Sequence, residues 1–174
     1  MTAFILIAAT LVSVSDSFDK LEWSHWNTPG ADVRYERRGD VGRTKPGAAA
    51  IVVGAKGKAT SGGCILRRFQ VERGHEYTAL AWVKADGFKP ESGVSLALQG
   101  QNGRDEFIGA QVMSTKLRVD RCRDWARIAL TLTVPKDGKW KTCEKLLVTV
   151  SAPGGACGTL YVDDFEFFET EDDE

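Results

Sequence analysis

The sequence predicts an all-β fold, either a sandwich or a barrel, and three observations support this prediction. No segment has a convincing helical period. Apolar and polar residues instead alternate with a period of two, most clearly over residues 125–134, where Ile128 and Leu130 face in and Arg127 and Thr131 face out. Turns rich in Gly and Pro separate roughly eight to ten such segments at regular spacing, which is typical of β-sandwiches and barrels.

The central strand is predicted at residues 77–84. Ala79 and Ala81 lie on one face and Leu80 and Trp82 on the other, so both faces are apolar. A strand covered on both sides belongs in the middle of a two-layer structure, and the small alanines leave room for large neighbours.

The other strands follow from shorter patterns. They are predicted at residues 31–38, 47–53, 64–71, 94–101, 125–134, 146–150 and 160–168. Weak alternation marks 31–38 as an edge strand. The strand at 94–101 has one dry face and one polar face, with Gln99 and Gln101 on the polar face, and the Asn-Gly pair at 102–103 predicts a hairpin turn after it.

Length and charge restrict the class of protein. A chain of 174 residues fits one domain that needs no metal or disulfide merely to fold. We assign that domain to residues 16–168 and an acidic tail to residues 169–174. The formal charge is -1, and no basic stripe with interleaved aromatic residues occurs, so we do not expect nucleic-acid binding.

Residues 1–15 are an apolar run that is too short to span a bilayer. Small residues, Ser13 and Ser15, precede Asp16 in the manner of a signal-peptidase site, which predicts a secretory signal, a secreted or cell-surface location and no membrane insertion. The missing Lys or Arg before Phe4 leaves an alternative open, in which this run is an extra N-terminal strand.

The four cysteines are Cys64, Cys122, Cys143 and Cys157. Their spacing contains no Cys-x-x-Cys or Cys/His pattern, so a zinc site is not expected. Two disulfides are expected if the chain is exported, and four small buried hydrophobic residues if it is cytosolic.

No catalytic residues are predicted, and the chain is not expected to be an enzyme. His25 and His75 are the only histidines, and no nucleophile elbow or zinc-protease helix occurs. Asp163 and Asp164 are adjacent, so on a regular strand they point to opposite faces and cannot act together on one glycosidic bond.

Five short motifs occur in an order that resembles the galactose-binding-like jelly-roll carbohydrate-binding modules attached to xylanases and other polysaccharide hydrolases. They are Phe18-Asp19 with Trp23, residues 47–51, residues 71–77 running into 81–85, Trp125 with residues 132–135, and residues 158–165. The resemblance covers residues 16–168. It implies a two-sheet antiparallel β-sandwich that binds a polysaccharide or oligosaccharide without catalysis, beside a catalytic or surface-anchored partner. The alternative is an extracellular adhesion or structural spacer module that binds protein or no soluble ligand.

The resemblance also implies a structural calcium held by Asp163 of the last strand and Asp19 after the first Phe. On a regular strand Asp163 shares a face with Phe165 and Phe167, where an ionised carboxylate needs a cation or several hydrogen bonds. Hydrogen bonding without a metal is the alternative. Calcium takes six to eight oxygens, so backbone carbonyls near Ala48 would have to contribute.

A disulfide pairing follows from one strand pairing taken from the family. In it, the strand beginning at Cys64 lies antiparallel to residues 125–134. This implies that Cys64 bonds Cys143 and that Cys122 bonds Cys157.

Sugar-binding residues are predicted on the polar face of residues 94–101. Gln99 and Gln101 offer amide donors and acceptors to sugar hydroxyls, and an aromatic ring covers the apolar face of a sugar. The candidate platforms are Trp26, Tyr35, Phe88, Phe107 and Trp140. Trp82 and Trp125 are assigned to the core.

Overall fold

The computed structural model describes residues 13–20, 22–57, 62–155 and 157–170. The described residues contain no α-helix. Their strands are β1 (Ser13–Asp16), β2 (Ser24–Trp26), β3 (Ala31–Arg38), β4 (Ala48–Gly57), β5 (Cys64–Gln70), β6 (Glu76–Asp86), β7 (Gly93–Gln101), β8 (Phe107–Met113), β9 (Leu117–Arg118), β10 (Ala126–Thr133), β11 (Lys145–Ser151) and β12 (Gly158–Thr170). Short 3₁₀ turns occupy Val119–Arg121 and Gly138–Trp140.

The strands form two antiparallel sheets, which confirms the predicted fold class. The first sheet has the order β10-β6-β12-β4-β3, with β1 also paired to β12. The second has the order β2-β5-β11-β7-β8, with β9 also paired to β7. Within the described ranges, no helix has the length and hydropathy needed to cross a membrane.

The core lies between the sheets and includes a row of stacked aromatic rings. The ring of Phe69 on β5 lies 4.2 Å from that of Phe167 on β12, and Phe167 lies 5.6 Å from Tyr77 on β6. Phe165 packs edge-on against Trp23 at 4.6 Å. Because each fully buried side chain of this size stabilises the fold by about 1.5–3 kcal/mol, this row contributes strongly to holding the sheets together.

The central strand β6 turns only one face to the core. Ala79 and Ala81 are fully buried there, whereas Leu80 and Trp82 lie on the outer face of the first sheet and are half-buried. The Arg43 guanidinium lies 3.6 Å from the centre of the Trp82 ring and covers it. The assignment of Trp82 to the core is therefore wrong. Its ring lies on the outer face of the sheet, where a cation–π contact with Arg43 covers it.

A bulge in β12 changes which side chains face the core. The register against β6 shifts between Asp163 and Glu166, and Asp164 adopts a φ of 43°. The extra residue lets Phe165 face the core while Asp163 lies opposite Trp82 on the outer face. The prediction that Asp163 shares a face with Phe165 is therefore wrong, because it assumed a regular strand.

The cysteine pairing is also wrong. Strand β5 pairs with β11 and β2, whereas β10 lies in the other sheet. Cys64, the first residue of β5, is paired with Ser151, the last residue of β11. Cys143 lies just before Lys145, the first residue of β11, which is paired with Gln70 at the other end of β5. Cys64 and Gln70 are six residue steps apart along the strand, a length of about 20 Å, which is far beyond the Cα range of a disulfide.

The second predicted bridge fails for a different reason. The N–H of Ala85 on β6 donates to the carbonyl of Cys122, which places Cys122 beside one edge of β6. Cys157 precedes β12, which pairs with the other edge of β6. The two residues are thus about two strand spacings, or 10 Å, apart, and all four cysteines are free thiols.

Two sequence predictions fall largely on residues that the structure does not describe. Residues 1–12 of the predicted leader and residues 171–174 of the acidic tail lie outside the described ranges. Residues Ser13–Asp16 form β1 and pair with Phe165 to Phe168 of β12. The secretory signal stays a prediction.

Candidate functional site

The candidate site is the outer face of the second sheet, formed by the side chains that alternate with its core residues. The register of the five strands places these side chains together: Ser24, Trp26, Cys64, Leu66, Arg68, Gln70, Ser95, Ala97, Gln99, Gln101, Phe107, Gln111, Met113, Lys145, Leu147, Thr149 and Ser151. Their alternation follows from the period of two that every strand has. Residues from five separated stretches of sequence therefore meet on one surface.

The middle of this surface is covered by neighbouring side chains, and its two edges are open. Ala97 on β7 and Thr149 on β11 are 4% and 5% exposed although both point away from the core. At the two edges, Trp26 on β2 and Phe107 on β8 are 56% and 55% exposed. We call this surface the groove, with β11 and β7 as its floor. Four interstrand spacings, or about 19 Å, separate its edge strands β2 and β8.

Two amides lie side by side in the groove. Gln99 on β7 is the direct cross-strand partner of Gln111 on β8, and neither amide has a hydrogen-bond partner among the described residues. Each amide can donate and accept, which suits the hydroxyl groups of a sugar. The sequence prediction named Gln99 but missed Gln111, although Gln111 alternates with the buried Ala110 and the half-buried Val112.

Gln101 lies on the same face but is only 4% exposed. Its Oε1 accepts a hydrogen bond of 2.9 Å from Nε of Arg68. Because β11 lies between β5 and β7, the Arg68 side chain crosses the floor over β11 to reach it. Gln101 therefore positions Arg68, and Arg68 covers Gln101.

Charged groups collect at the Gln101 end of the groove. Lys145 Nζ lies 2.7 Å from Oδ1 of Asp105 and donates to the carbonyl of Gly103 at 3.2 Å. Arg68 Nε lies 3.8 Å from the same Asp105 oxygen. The hydrogen bond from Lys145 lowers the pKa of Asp105 below its usual range.

Tyr35 lies behind the groove rather than in it. Its hydroxyl donates to the backbone carbonyl of Trp26 at 2.7 Å, and its ring stacks on His25 with 4.2 Å between centroids. Burial raises the pKa of Tyr35 to about 12. Tyr35 therefore supports β2, the short edge strand that carries Trp26.

Trp140 and Phe88 are also outside the groove. A Cβ placed on Gly100 would meet the Trp140 ring at 2.9 Å, so Trp140 packs on the core side of β7. Phe88 is buried and packs against Gly158 at the start of β12. Of the seven predicted sugar-binding residues, the structure thus brings together Trp26, Gln99, Gln101 and Phe107; the binding roles of all seven stay predictions.

Asp163 and Asp19, the predicted calcium ligands, have other partners. One Asp163 oxygen accepts the Arg43 N–H at 2.7 Å and the other accepts the Asp164 N–H at 2.8 Å. Burial raises the pKa of Asp163, and these two N–H groups act in the opposite direction. Asp19 accepts from Lys45 Nζ at 2.6 Å, and that contact lowers its pKa.

These contacts do not form a calcium site as they stand. In the described part of the chain, no group of three or more His, Cys, Asp or Glu side chains is arranged to hold a metal ion. Calcium needs six to eight oxygens, and Asp163 already has both of its oxygens engaged by backbone N–H groups. A bound calcium stays a prediction, and no function is derived from it.

A family model described as "Carbohydrate binding domain" matches residues 12–153. The chain belongs to this family. The prediction of a carbohydrate-binding jelly roll, made from the order of five motifs, is thus confirmed. The matched range contains all five strands of the groove, so this face is part of the carbohydrate-binding domain itself.

Solved structures share the fold of this carbohydrate-binding domain. The CBM22-1 xylan-binding domain of Paenibacillus barcinonensis Xyn10C is 10% identical with a TM-score of 0.68, over 91% of this chain and 94% of that one. The CBM22-1 and GH10 modules of Clostridium thermocellum endo-1,4-beta-D-xylanase 10B, complexed with xylohexaose, are 14% identical with a TM-score of 0.65, over 91% of this chain and 28% of that one. No curated protein sequence matches the chain.

Proposed function

We propose that this carbohydrate-binding domain holds a polysaccharide in the groove, with xylan as the first candidate, and that it does so without catalysis. One observation carries the proposal: a single sheet face that combines the Gln99–Gln111 amide pair with exposed aromatic rings at both edges. Amides can satisfy sugar hydroxyls, and a Trp or Phe ring can cover the apolar face of a pyranose. Two structures of the same fold are described as xylan-binding or as complexed with xylohexaose, which supports the choice of polymer.

We further propose that the domain acts outside the cell beside a catalytic or surface-anchored partner. The support is the Clostridium thermocellum structure, in which a module of this fold is one part of a larger xylanase chain. A binding domain in such a chain raises the local concentration of the enzyme at its substrate.

The first prediction is that the chain is retarded in affinity electrophoresis through a gel containing xylan. Trp26→Ala and Gln99→Ala should each weaken binding by about tenfold, because each removes a contact worth about 1–3 kcal/mol. Thr131→Ala is the control, since Thr131 is exposed on the first sheet.

A panel of glucans, mannans and galactans run in parallel distinguishes xylan from other polymers. Retardation by another polymer, lost in the same variants, keeps the site and changes the sugar. The absence of retardation by every polymer would favour the adhesion or spacer alternative. Unchanged binding by both groove variants would contradict the site.

A further inference from the structure

The strands of the groove carry positive charge and no negative charge. On the groove face of strands β2, β5, β11, β7 and β8, the charged side chains are Arg68 and Lys145, and none is acidic. The whole chain, in contrast, has a formal charge of -1. The groove is therefore more positive than the molecule that carries it.

Among the described residues, Asp105 is the one carboxylate in contact with these two cations. Asp105 is bound to Lys145 at 2.7 Å and lies 3.8 Å from Arg68, so two cations share one carboxylate. Glu106 is engaged by Asn102 Nδ2 at 2.7 Å, and Glu144 lies beside Gly103, both at the hairpin beyond the strand ends. Of the two cations, Arg68 has the longer and therefore weaker contact with Asp105.

The geometry of Arg68 suits an anionic ligand. Its Nε is held by Gln101 Oε1 at 2.9 Å, which fixes the plane of the guanidinium. Its two Nη groups have no hydrogen-bond partner among the described residues, and the side chain is 41% exposed. The Nη edge of a fixed guanidinium matches the two oxygens of a carboxylate, an arrangement that a flexible ammonium group cannot reproduce.

We propose that the groove takes a polysaccharide that bears uronic acid groups, and that Arg68 binds the carboxylate of such a group. This proposal rests on the proposed function and narrows its substrate class. The Gln99–Gln111 pair and the edge aromatics hold the neutral sugars of the polymer, and Arg68 discriminates in favour of the acidic ones.

The experiment compares a glucuronic acid-bearing xylan with the same polymer after chemical reduction of its carboxyl groups, which leaves the backbone unchanged. The parent chain should bind the acidic polymer about tenfold more tightly, as expected for one charge-assisted contact. Arg68→Gln should bind both polymers equally. Arg68→Lys keeps the charge but not the paired donors, and should retain part of the preference.

Arg127→Gln is the matched control, since Arg127 is exposed on the first sheet and should leave the preference unchanged. Equal binding of both polymers by the parent, or an equal loss on both polymers in Arg68→Gln, overturns the role of Arg68 and leaves the proposed function intact. A preference reduced as much by Arg127→Gln as by Arg68→Gln also overturns it, because general charge would then explain the effect. Binding of neither polymer contradicts xylan as the ligand and, with it, this proposal; the panel of other polysaccharides then decides the proposed function.

Discussion

Individual side chains in this domain often act by positioning a neighbour. Tyr35 holds the backbone of Trp26, Gln101 fixes the plane of Arg68, and Arg43 covers Trp82 while its N–H satisfies Asp163. In each case the polar group is engaged within the protein. The type of a residue therefore does not by itself show whether its side chain binds a ligand or holds a ligand-binding residue in place.

Asp163 provides a test at this scale. Asp163→Asn should lower the free energy of unfolding by about 1–3 kcal/mol, because one of two carboxylate acceptors becomes an amide donor that faces a backbone N–H. The measurement is the Tm of parent and variant by calorimetry. Asp40→Asn is the control, since Asp40 is exposed and forms a surface pair with Arg38, which contributes little.

The same calorimetry with a chelator tests the predicted calcium. A drop in the Tm of the parent that excess calcium reverses would show a bound ion, because a ligand that binds only the folded state stabilises it. A Tm that the chelator leaves unchanged, together with a destabilised Asp163→Asn, would establish the hydrogen-bonded role. No effect of either the chelator or the substitution would contradict both roles of Asp163.

At the scale of elements, strand neighbours decide which cysteines can meet. Cys64 and Cys143 lie toward opposite ends of the β5–β11 pair, and Cys122 and Cys157 flank opposite edges of β6. Cys157 is exposed and the other three are buried. Burial raises the pKa of Cys64 and Cys143, and raises that of Cys122 to about 11, which suppresses their reactive thiolate forms.

We therefore expect one thiol, Cys157, to react rapidly with a thiol reagent in the native protein, and all four to react after denaturation. Cys157→Ser should abolish the rapid phase alone. Non-reducing peptide mapping should find no bridge. A Cys64–Cys143 or Cys122–Cys157 peptide would contradict the observed order of strands in the two sheets.

At the scale of the whole molecule, the two sheets present different outer faces. Arg67 of the second sheet contacts Asp16 of the first at 3.1 Å and helps join them. The outer face of the second sheet is the groove, whereas that of the first exposes Arg127, Thr131 and Thr133 on β10. Binding is therefore expected on one side of the molecule only.

The chain should bind polysaccharide without hydrolysing it. Glycoside hydrolysis generally uses two carboxyl groups on either side of the scissile bond, about 5–9.5 Å apart. The described strands of the groove carry none on that face, and Asp105 at its end is bound to Lys145. Incubation with xylan should release no reducing sugar above a blank, with a xylanase as the positive control. Release that Trp26→Ala abolishes would contradict this.

The sequence by itself determined the class of fold and one face of the candidate site. A period of two is local: it requires only neighbouring residues, so the strands, the dry face of β7 and the shared orientation of Gln99 and Gln101 could be predicted. The order of five motifs was specific enough to predict the carbohydrate-binding family.

Only the tertiary structure decided which strands are neighbours, because pairing depends on contacts between residues far apart in the chain. That pairing brings Arg68 to Gln101 and Gln111 to Gln99, and it separates Cys64 from Cys143. A single inserted residue in β12 likewise reversed the face of Asp163, since one extra residue exchanges the two faces of a strand. The alternation of apolar and polar residues depends only on neighbouring residues, so it predicts neither the pairing of the strands nor the inserted residue in β12.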